Sequence, residues 1–257
     1  MKWLTLCTVL LVQAESSPMP GEEVKVATFS VAPYVVDMDG SVRGALVEFF
    51  DQEIAPRMGV RFRWLPPMTV ARLLRSLETG SADMAPILSY APERRRQVDY
   101  ASQAYIRFEP VLAVRPNSHL QRITDFSQLD GLRIGWVKQS VLEPALQRPA
   151  IQWDMNGEVQ WERSNMGKLQ LGRIDAAFFS NPYTPLYFAK GAGYTVRTLP
   201  LPLRAREVFA AFSKTASPRL LGRYEHAAQE AFANKRFEQH LQRYIEQRTF
   251  KLGTAVE

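Results

Sequence analysis

The chain has 257 residues, of which 46% are hydrophobic and 23% are charged, and its formal net charge is +6 at pH 7. This composition excludes disordered and fibrous classes and predicts a folded globular protein. The basic residues are interleaved with acidic ones, and the one dense run, Arg94 to Arg96, is short and soon followed by Asp99. Without a continuous basic stripe we predict no nucleic-acid partner, whereas an anionic small ligand suits the sign of the charge.

The N-terminus has the pattern of a secretory signal peptide over residues 1–14. Lys2 precedes an uncharged apolar run from Trp3 to Val12, and a small-residue cleavage site ends at Ala14. The run is too short to span a bilayer. We predict cleavage near Ala14, a flexible leader over 15–22 and a periplasmic location. Because Cys7 is the only cysteine, the mature chain would have no disulfide and no cysteine-based site.

The first hundred residues alternate between strand and helix patterns. In chain order they predict a strand at 24–29, a turn at Pro33-Tyr34, a helix at 45–58 disturbed by Pro56 and stopped by Gly59, a strand at 60–65, a helix capped by Thr69 and stopped by Gly80, and a strand at 82–88. This order is typical of an α/β fold with a mainly parallel sheet and helices on both faces.

A second round of elements follows. The patterns predict an extended segment at 110–114, a short helix at 124–129, a strand at 132–137, a helix from Val141 onward, a helix at 165–171 and a strand at 174–179. The last elements are a strand at 208–212, a helix starting at Ser217-Pro218 and a helix at 237–247. We therefore expect two lobes of similar construction.

A short repeat supports the two-lobed expectation. Leu77-x-x-Gly80-x-x-Asp83 recurs as Leu169-x-x-Gly172-x-x-Asp175, as a duplicated supersecondary unit would. We interpret Asp83 and Asp175 as structural groups that hold the turn before a buried strand, and not as a catalytic pair. Lobe 1 is predicted over 23–109 and 205–257, and lobe 2 is inserted over 110–204. In such folds ligands bind beyond the carboxyl ends of the strands, between the lobes.

Several segments, each weak alone, together resemble the family 3 solute-binding proteins of bacterial ABC importers, which include periplasmic polar amino-acid binders. In chain order these segments are 24–34, 40–48, Gly80-x-x-Asp83, Glu93-Arg94, 98–102 with Tyr105, 123–131 and Gly172-Arg173-x-Asp175-Ala176. The resemblance covers about residues 22–248. It implies a type II periplasmic-binding-protein fold whose lobes close on a small ligand.

The resemblance also implies a ligand site. Arg94 matches the arginine that forks onto the ligand carboxylate, which a lysine could not do with two parallel donors. Ala91 stands where the family usually has threonine. Ser180, followed by Asn181, stands where the amino-acid binders have an acidic residue for the ligand ammonium. A neutral pair cannot replace that charge, so a standard α-amino acid is in doubt and another carboxylate or a small polar molecule is comparably favoured.

The remaining candidates come from strand ends. Ser140, predicted at the start of the helix after the strand at 132–137, matches the lobe-2 loop that offers a hydroxyl and amide donors to the ligand. The side chains expected to face the cleft from lobe 1 are Phe29, Val31, Tyr34, Met68 and Ser89. The two aromatic residues fit core packing as well as ligand stacking. Packing is preferred for Trp64, Trp136, Trp153 and Trp161.

The favoured hypothesis is an exported, non-catalytic and monomeric binding protein that hands a small polar solute to an ABC permease, with no cofactor and no metal. His119, His226 and His240 lack metal-ligand spacing, and the common catalytic motifs are absent. Two alternatives stay open. One is a periplasmic lyase or dehydratase on the same fold, with Glu48 or Glu143 as acid or base. The other is a sensory or partner-binding module without a transport role.

Overall fold

The computed structural model describes residues 22–38 and 40–252, with side chains to residue 247. The predicted signal peptide, Cys7 and the leader up to residue 21 lie outside this part of the chain. Within it, no helix is long and apolar enough to cross a membrane.

The larger of two main sheets forms lobe 1. Its strands are β1 (Glu22–Val26), β4 (Val60–Trp64), β5 (Met84–Ser89), β6 (Val98–Tyr100), β7 (Ile106–Phe108) and β13 (Arg206–Ser213), in the order β4-β1-β5-β13-β6 with β7 also paired to β13. A small hairpin of β2 (Val36–Met38) and β3 (Ser41–Arg43) lies outside this sheet.

The smaller sheet forms lobe 2. Its strands are β8 (Val111–Val114), β9 (Arg133–Val137), β10 (Gln152–Asn156), β11 (Ala176–Phe179) and β12 (Arg197–Pro200), in the order β10-β9-β11-β8-β12. The chain thus passes from the larger sheet to the smaller one between β7 and β8, and returns between β12 and β13. The predicted lobe boundaries at 109/110 and 204/205 stay predictions.

Helices cover both sheets. They are α1 (Ala45–Phe49), α2 (Ala55–Met58), α3 (Val70–Glu78), α4 (Trp161–Gln170), α5 (Tyr183–Gly191), α6 (Pro218–Ala231) and α7 (Arg236–Leu252). Single 3-10 turns occur at Pro92–Arg96, Phe126–Leu129, Pro144–Leu146 and Ala233–Lys235. The last two helices bury Tyr224, Phe237 and Leu241 in the lobe-1 core. Lobe 2 has a core of its own, centred on Trp136, Phe178 and Phe179.

The two-lobed α/β fold is confirmed, but the sheets are mixed where we expected mainly parallel ones. In lobe 1, β1 runs parallel to β4 and β5, whereas β13 runs antiparallel to β5, β6 and β7. In lobe 2, β8 is antiparallel to both β11 and β12. The antiparallel strands β7, β8, β12 and β13 flank the two crossings between the lobes. Antiparallel neighbours need no helical crossover, so the chain can leave one sheet and enter the other directly.

The repeated motif has the same structural role in both lobes. Asp83 accepts a hydrogen bond from the Lys25 backbone N–H at 2.7 Å, and Asp175 accepts one from the Arg133 backbone N–H at 2.8 Å. In each case the carboxylate ties the start of one strand to the next strand in the sheet. Gly80 and Gly172 both have a φ of 70°, in the left-handed region that favours glycine. The structural interpretation of the two aspartates is therefore confirmed.

The helix predicted from Val141 onward is wrong. Pro144 begins a 3-10 turn that ends at Leu146, and the strand β10, which was not predicted, follows on the edge of the lobe-2 sheet. Proline at 144 and again at 149 removes backbone donors that a longer helix needs. The following helix α4 begins at Trp161, four residues before the predicted start at Asn165.

The helix predicted at 45–58 is present, but a π-helical segment, Phe50–Ile54, separates α1 from α2. Pro56 has no N–H, which prevents the regular hydrogen bond to residue 52, and the Ala55 N–H bonds instead to the Phe50 carbonyl. Gly59 ends α2 with a φ of 65°. The predicted cap at Thr69 is confirmed, since its hydroxyl accepts the Arg72 N–H at 3.3 Å.

Candidate functional site

Among the described residues, two groups of hydrogen bonds join the lobes. We call the first the carboxyl junction; it joins Ser30 and Ala32 of lobe 1 to Trp161, Glu162 and Thr184 of lobe 2. We call the second the arginine junction; it joins Arg94 and Arg206 of lobe 1 to Gln139, Val141 and Glu143 of lobe 2. Ser30 follows β1, Arg94 follows β5 and Gln139 follows β9, and a ligand of this fold is expected beyond such strand ends.

The lobe-1 side of the carboxyl junction is a loop held firmly by its own lobe. Val31 and Val35 exchange backbone hydrogen bonds of 3.0 and 2.9 Å, and the Ala45 N–H at the start of α1 donates to the Pro33 carbonyl at 3.0 Å. Gly44 has a φ of 138°, and a side chain there would come within 2.1 Å of the Tyr34 carbonyl oxygen. The loop therefore presents Ser30 and Ala32 in one defined geometry.

Glu162, in the first turn of α4, is fully buried at the carboxyl junction. One carboxyl oxygen accepts the Ser30 hydroxyl at 2.5 Å, and the other accepts the Ala32 backbone N–H at 3.1 Å. Burial raises the pKa of this carboxyl group to about 8, while its hydrogen bonds with Ser30, Ala32 and Thr184 lower it in part. At neutral pH the group is thus mostly protonated.

Further contacts close the carboxyl junction. The Trp161 indole N–H donates to the Ser30 carbonyl at 3.3 Å, and the Thr184 hydroxyl donates to the Ala32 carbonyl. Asn181 holds Thr184 in place, because its side-chain NH₂ donates to the Thr184 hydroxyl at 3.0 Å. As a result, the hydroxyl and carbonyl groups of Ser30 and the N–H and carbonyl groups of Ala32 all have lobe-2 partners.

Arg94 is the central cation of the arginine junction and is only 7% exposed, whereas Arg95 and Arg96 are exposed. Its guanidinium donates to the Ser89 carbonyl of its own lobe at 3.2 Å and to the Gln139 carbonyl of lobe 2 at 2.9 Å. Among the side chains described, no carboxylate forms an ion pair with it. Arg94 is therefore a buried cation whose described partners, two carbonyl groups and the Tyr100 hydroxyl, are all uncharged.

Arg206 is the second cation of this junction and is 8% exposed. It pairs with Glu143 at 3.0 Å and also donates to the Val141 carbonyl. Burial lowers the pKa of Arg206, and the nearby charge of Arg94 lowers it further, while Glu143 raises it. A cavity of about 540 Å³ lies beside the pair and is lined by Ser89, Tyr90, Arg107, Val141, Glu143, Arg204, Ala205, Arg206 and Glu207.

The lobe-1 candidates from sequence have different surroundings. Ser89 lies at the arginine junction, where its carbonyl also accepts the Tyr100 hydroxyl at 3.1 Å. Tyr34 is 3% exposed, with its ring 5.1 Å from that of Phe108, and it lines a cavity of about 620 Å³ together with Asn181. Met68 is buried in the small core under α3, and Phe29 is half-buried against both lobe-1 cores.

The lobe-2 candidates also differ from one another. Ser140 and Ser180 are half-buried. The expected helix start at Ser140 is absent, so that residue has no helix N-terminus with which to attract an anion. Asn181 is 2% exposed, and its side-chain oxygen accepts the N–H groups of Tyr183 and Thr184 at 2.9 and 3.0 Å, capping α5. Asn181 thus acts within lobe 2, on a helix that was not predicted.

Sequence reasoning missed Glu162 and Arg206. Arg206 carried a usable signal, because period-two alternation with Val208, Ala210 and Phe212 places it on the buried face of β13. Glu162 carried none, since its burial arises from a contact with a loop 130 residues away in sequence. The four tryptophans assigned to packing do line the cores: Trp64 packs in lobe 1, and Trp136, Trp153 and Trp161 pack in lobe 2.

Glu48 and Glu143, the two candidates for an acid or base, have different surroundings. Glu48 is on α1 near His240 of α7, whose pKa is lowered by burial and raised in part by Glu48. Glu143 is engaged by Arg206. Within the described residues, no cluster of three or more His, Cys, Asp or Glu side chains is placed to hold a metal ion.

Comparison with known proteins defines the class of protein. The chain matches the model of the bacterial extracellular solute-binding proteins, family 3, over residues 24–247. Because the match covers most of the chain, the protein belongs to this family. No curated protein matches the chain.

Solved structures share the fold. AbpA, an amino acid ABC transporter substrate-binding protein of Streptococcus pneumoniae bound to L-arginine, aligns with a TM-score of 0.72 and 20% identity, over 91% of this chain and 97% of its own. The BvgS periplasmic VFT2 domain of Bordetella pertussis aligns with a TM-score of 0.70 and 22% identity, over 88% and 93%. AncCDT-1, an ancestral amino-acid-binding protein and precursor of cyclohexadienyl dehydratase, aligns with a TM-score of 0.70 and 18% identity, over 86% and 94%. These identities support a shared fold, and the ligand has to be argued from the site.

Proposed function

We propose that this protein is an exported, periplasmic solute-binding protein that captures a small carboxylate-bearing solute between its lobes and delivers it, as a monomer, to an ABC permease. The observation that carries the proposal is the buried guanidinium of Arg94, which contacts both lobes and has no ion pair among the described side chains. Membership of the solute-binding family supports the general role.

The charge on Arg94 favours an anionic ligand. A buried cation is costly unless an anion compensates it, and carbonyl dipoles compensate only part of the charge. A ligand carboxylate would supply the missing charge and could accept two parallel N–H bonds from one guanidinium. Arg94 lies where the two lobes meet, so a ligand held by Arg94 of lobe 1 and by Ser140 and Ser180 of lobe 2 would favour the closed form.

The proposed ligand contacts are Arg94 and Ser89 from lobe 1 and Ser140 and Ser180 from lobe 2. Ser140 would contribute its hydroxyl and loop amide, without a helix terminus. Phe29, Tyr34 and Met68 would shape the lobe-1 wall through the core packing described above, and Asn181 would act through Thr184. The neutral side chain of Ser180 offers no counter-charge for an ammonium. We therefore expect carboxylates that lack an α-ammonium group to bind best.

A thermal-shift screen of the whole chain tests the ligand class, since a solute that binds only the folded state raises the melting temperature. The panel contains α-amino acids, amines, dicarboxylates and cyclic carboxylic acids. We expect hits among carboxylates without an α-ammonium. Hits confined to α-amino acids would contradict the argument from Ser180, and hits confined to amines would contradict the argument from Arg94.

Arg94→Ala and Arg96→Ala form a matched pair for the site itself. Arg94→Ala should abolish binding of the best hit, or weaken it by at least about 30-fold, because a buried charged contact is worth about 2–5 kcal/mol and about 1.4 kcal/mol is tenfold in Kd. Arg96→Ala, at an exposed position of the same 3-10 turn, should change the Kd by less than about twofold. Isothermal titration calorimetry measures both. Equal small effects would show that the solute binds elsewhere.

The two alternative functions predict different fates for the bound solute. If the protein only binds, the solute is recovered unchanged after long incubation, whereas a lyase or dehydratase would convert it, as mass spectrometry of the supernatant would show. A sensory or partner-binding module would give no hit with any solute in the panel. Recovery, conversion and absence of binding therefore separate the three functions.

A further inference from the structure

The carboxyl junction has the chemistry of a carboxyl-binding site in lobe 1 that is occupied by a side chain of lobe 2. Ser30 offers a hydroxyl and Ala32 a backbone N–H, and the two donors engage the two oxygens of one carboxyl group, that of Glu162. Hydroxyl and amide donors are those that a dissolved carboxylic acid or carboxylate would also seek. The occupant here is covalently part of the protein.

We propose that Glu162 acts as a tethered ligand: its carboxyl group binds the Ser30–Ala32 loop and holds the two lobes together in the absence of any solute. This goes beyond the proposed transport function, since it concerns the unliganded protein and does not depend on which solute binds at Arg94. It assigns a carboxyl-binding site to Ser30 and Ala32, residues that lie next to the sequence-predicted site but were not among its members.

The surrounding contacts support this role. The Ser30 carbonyl accepts from the Trp161 indole and the Ala32 carbonyl accepts from the Thr184 hydroxyl. Lobe 2 thus supplies a hydrogen-bond partner for each of the two carbonyl groups and each of the two donors of the loop, and Glu162 accepts from both donors. A surface contact between two lobes would leave some of these groups to water, whereas Glu162 is 0% exposed.

The protonation of Glu162 also supports it. A buried ionised carboxylate without a cation would oppose closure, but burial raises the pKa to about 8, so the neutral acid predominates near pH 7. The causes of that pKa include no charged side chain, only burial and hydrogen bonds to Ser30, Ala32 and Thr184. The junction therefore accepts the carboxyl group without requiring a counter-ion.

The rigidity of the Ser30–Ala32 loop strengthens its contact with Glu162. Because Val31, Val35 and the first N–H groups of α1 hold the loop in place from within lobe 1, no reorganisation of lobe 1 is required when Glu162 docks. Preorganised donors give more net binding than flexible ones, since less conformational entropy is lost.

The distance between the lobes in the unliganded protein tests the proposal. The full chain with Cys7→Ser receives spin labels at two exposed positions, Arg72→Cys on α3 and Gln170→Cys on α4. The protein is unfolded in guanidinium chloride, dialysed and refolded to remove any carried solute, and the label distance is measured by double electron–electron resonance. We expect one short, narrow distribution in the parent and a longer, broader one in Glu162→Ala.

Two further variants control the result. Glu158→Ala removes an exposed carboxylate shortly before α4 and should leave the distribution as in the parent. Ser30→Ala removes one donor from the lobe-1 side and should shift the distribution in the same direction as Glu162→Ala, which keeps the test decisive if Glu162→Ala does not fold. An open unliganded parent, or a Glu162→Ala or Ser30→Ala distribution equal to that of the parent, would overturn the proposal. Neither outcome would affect the solute site, which the Arg94 titrations test separately.

Discussion

Two buried ionisable side chains between the lobes, Arg94 and Glu162, differ in how burial affects them. Arg94 donates to carbonyl groups of both lobes, which compensate a guanidinium charge only in part and leave it suited to an anion. Glu162 instead becomes largely neutral through a raised pKa. At the scale of single residues, the region between the lobes therefore combines a cation suited to an anionic ligand with a neutral acid that can join the lobes without a counter-ion.

The raised pKa of Glu162 predicts how stability depends on pH. The ordinary value of 4.5 rises to about 8 in the folded protein, so the folded state holds this proton more tightly than the unfolded state. The stability that Glu162 contributes is fully present below pH 4.5 and is lost as the pH rises through 8. The loss is at most about 5 kcal/mol, from about 1.4 kcal/mol per pKa unit.

Glu162→Gln isolates this effect, because glutamine is close in shape to the protonated acid and does not ionise in this range. Free energies of unfolding are measured by urea titration for both proteins at pH 5, 7 and 9. Between pH 5 and 9 the free energy of unfolding of the parent should fall by several kcal/mol relative to that of Glu162→Gln. His240 titrates in both proteins and cancels. A pH-independent difference would show that Glu162 has its ordinary pKa.

At the scale of elements, the short helix α1 and the loop before the hairpin depend on each other. The carbonyls of Pro33 and Tyr34 accept the first two N–H groups of α1, which a helix start otherwise leaves without partners. Gly44 permits this approach, since its backbone lies almost against the Tyr34 carbonyl. The lobe-1 face of the carboxyl junction is thus built by one helix start and one glycine.

Gly44→Ala and Gly59→Ala test this dependence. Both glycines have positive φ, but only Gly44 has backbone within reach of an added Cβ. Gly59→Ala should cost about 1–2 kcal/mol of unfolding free energy, the usual penalty of a left-handed alanine. Gly44→Ala must also displace the loop and should cost more than about 3 kcal/mol. Chemical denaturation followed by circular dichroism measures both, and equal losses would contradict the close approach.

At the scale of the whole molecule, the lobes have separate hydrophobic cores, and the described contacts that join them include many polar ones. The core around Phe178 and Trp136 shares no member with the cores of lobe 1. A polar junction can separate and hydrate at little cost, whereas a merged core could not. This construction suits lobes that move about two crossing segments.

The pair between Arg206 and Glu143 should contribute to holding the lobes together. Glu143→Gln leaves Arg206, whose side chain is 7% exposed, without its counter-charge, and should lower the unfolding free energy by about 1–3 kcal/mol. Glu207→Gln is the control, because its pair with Arg107 is exposed, at 52% and 75% of the two side chains. That change should stay within about 0.5 kcal/mol. Urea titrations that show equal effects would contradict a structural role for the buried pair.

Local patterns in the sequence were enough to predict much of the fold. Thr69 and Ser217-Pro218 mark helix starts, Gly59 and Gly80 mark helix ends, and the Leu-x-x-Gly-x-x-Asp repeat marks equivalent corners of the two lobes. These signals are local because capping, left-handed turns and side-chain periodicity act within a few residues. The family resemblance selected Arg94 from its run of three arginines, and Arg94 is the buried member of that run, whereas Arg95 and Arg96 are exposed.

The contacts between the lobes could not be obtained in this way. Glu162 and Ser30 are separated by 132 positions, and no local pattern distinguishes a glutamate that will be buried by a distant loop from one that faces water. The edge strand β10 was missed for a related reason. It is held by pairing with β9, which lies before the segment that contains Pro144 and Pro149, so the local pattern does not show the pairing. Propensity and periodicity determined the elements, whereas the pairing of distant surfaces, and with it the pKa of Glu162, was decided by the tertiary structure, because burial is a property of the packed molecule.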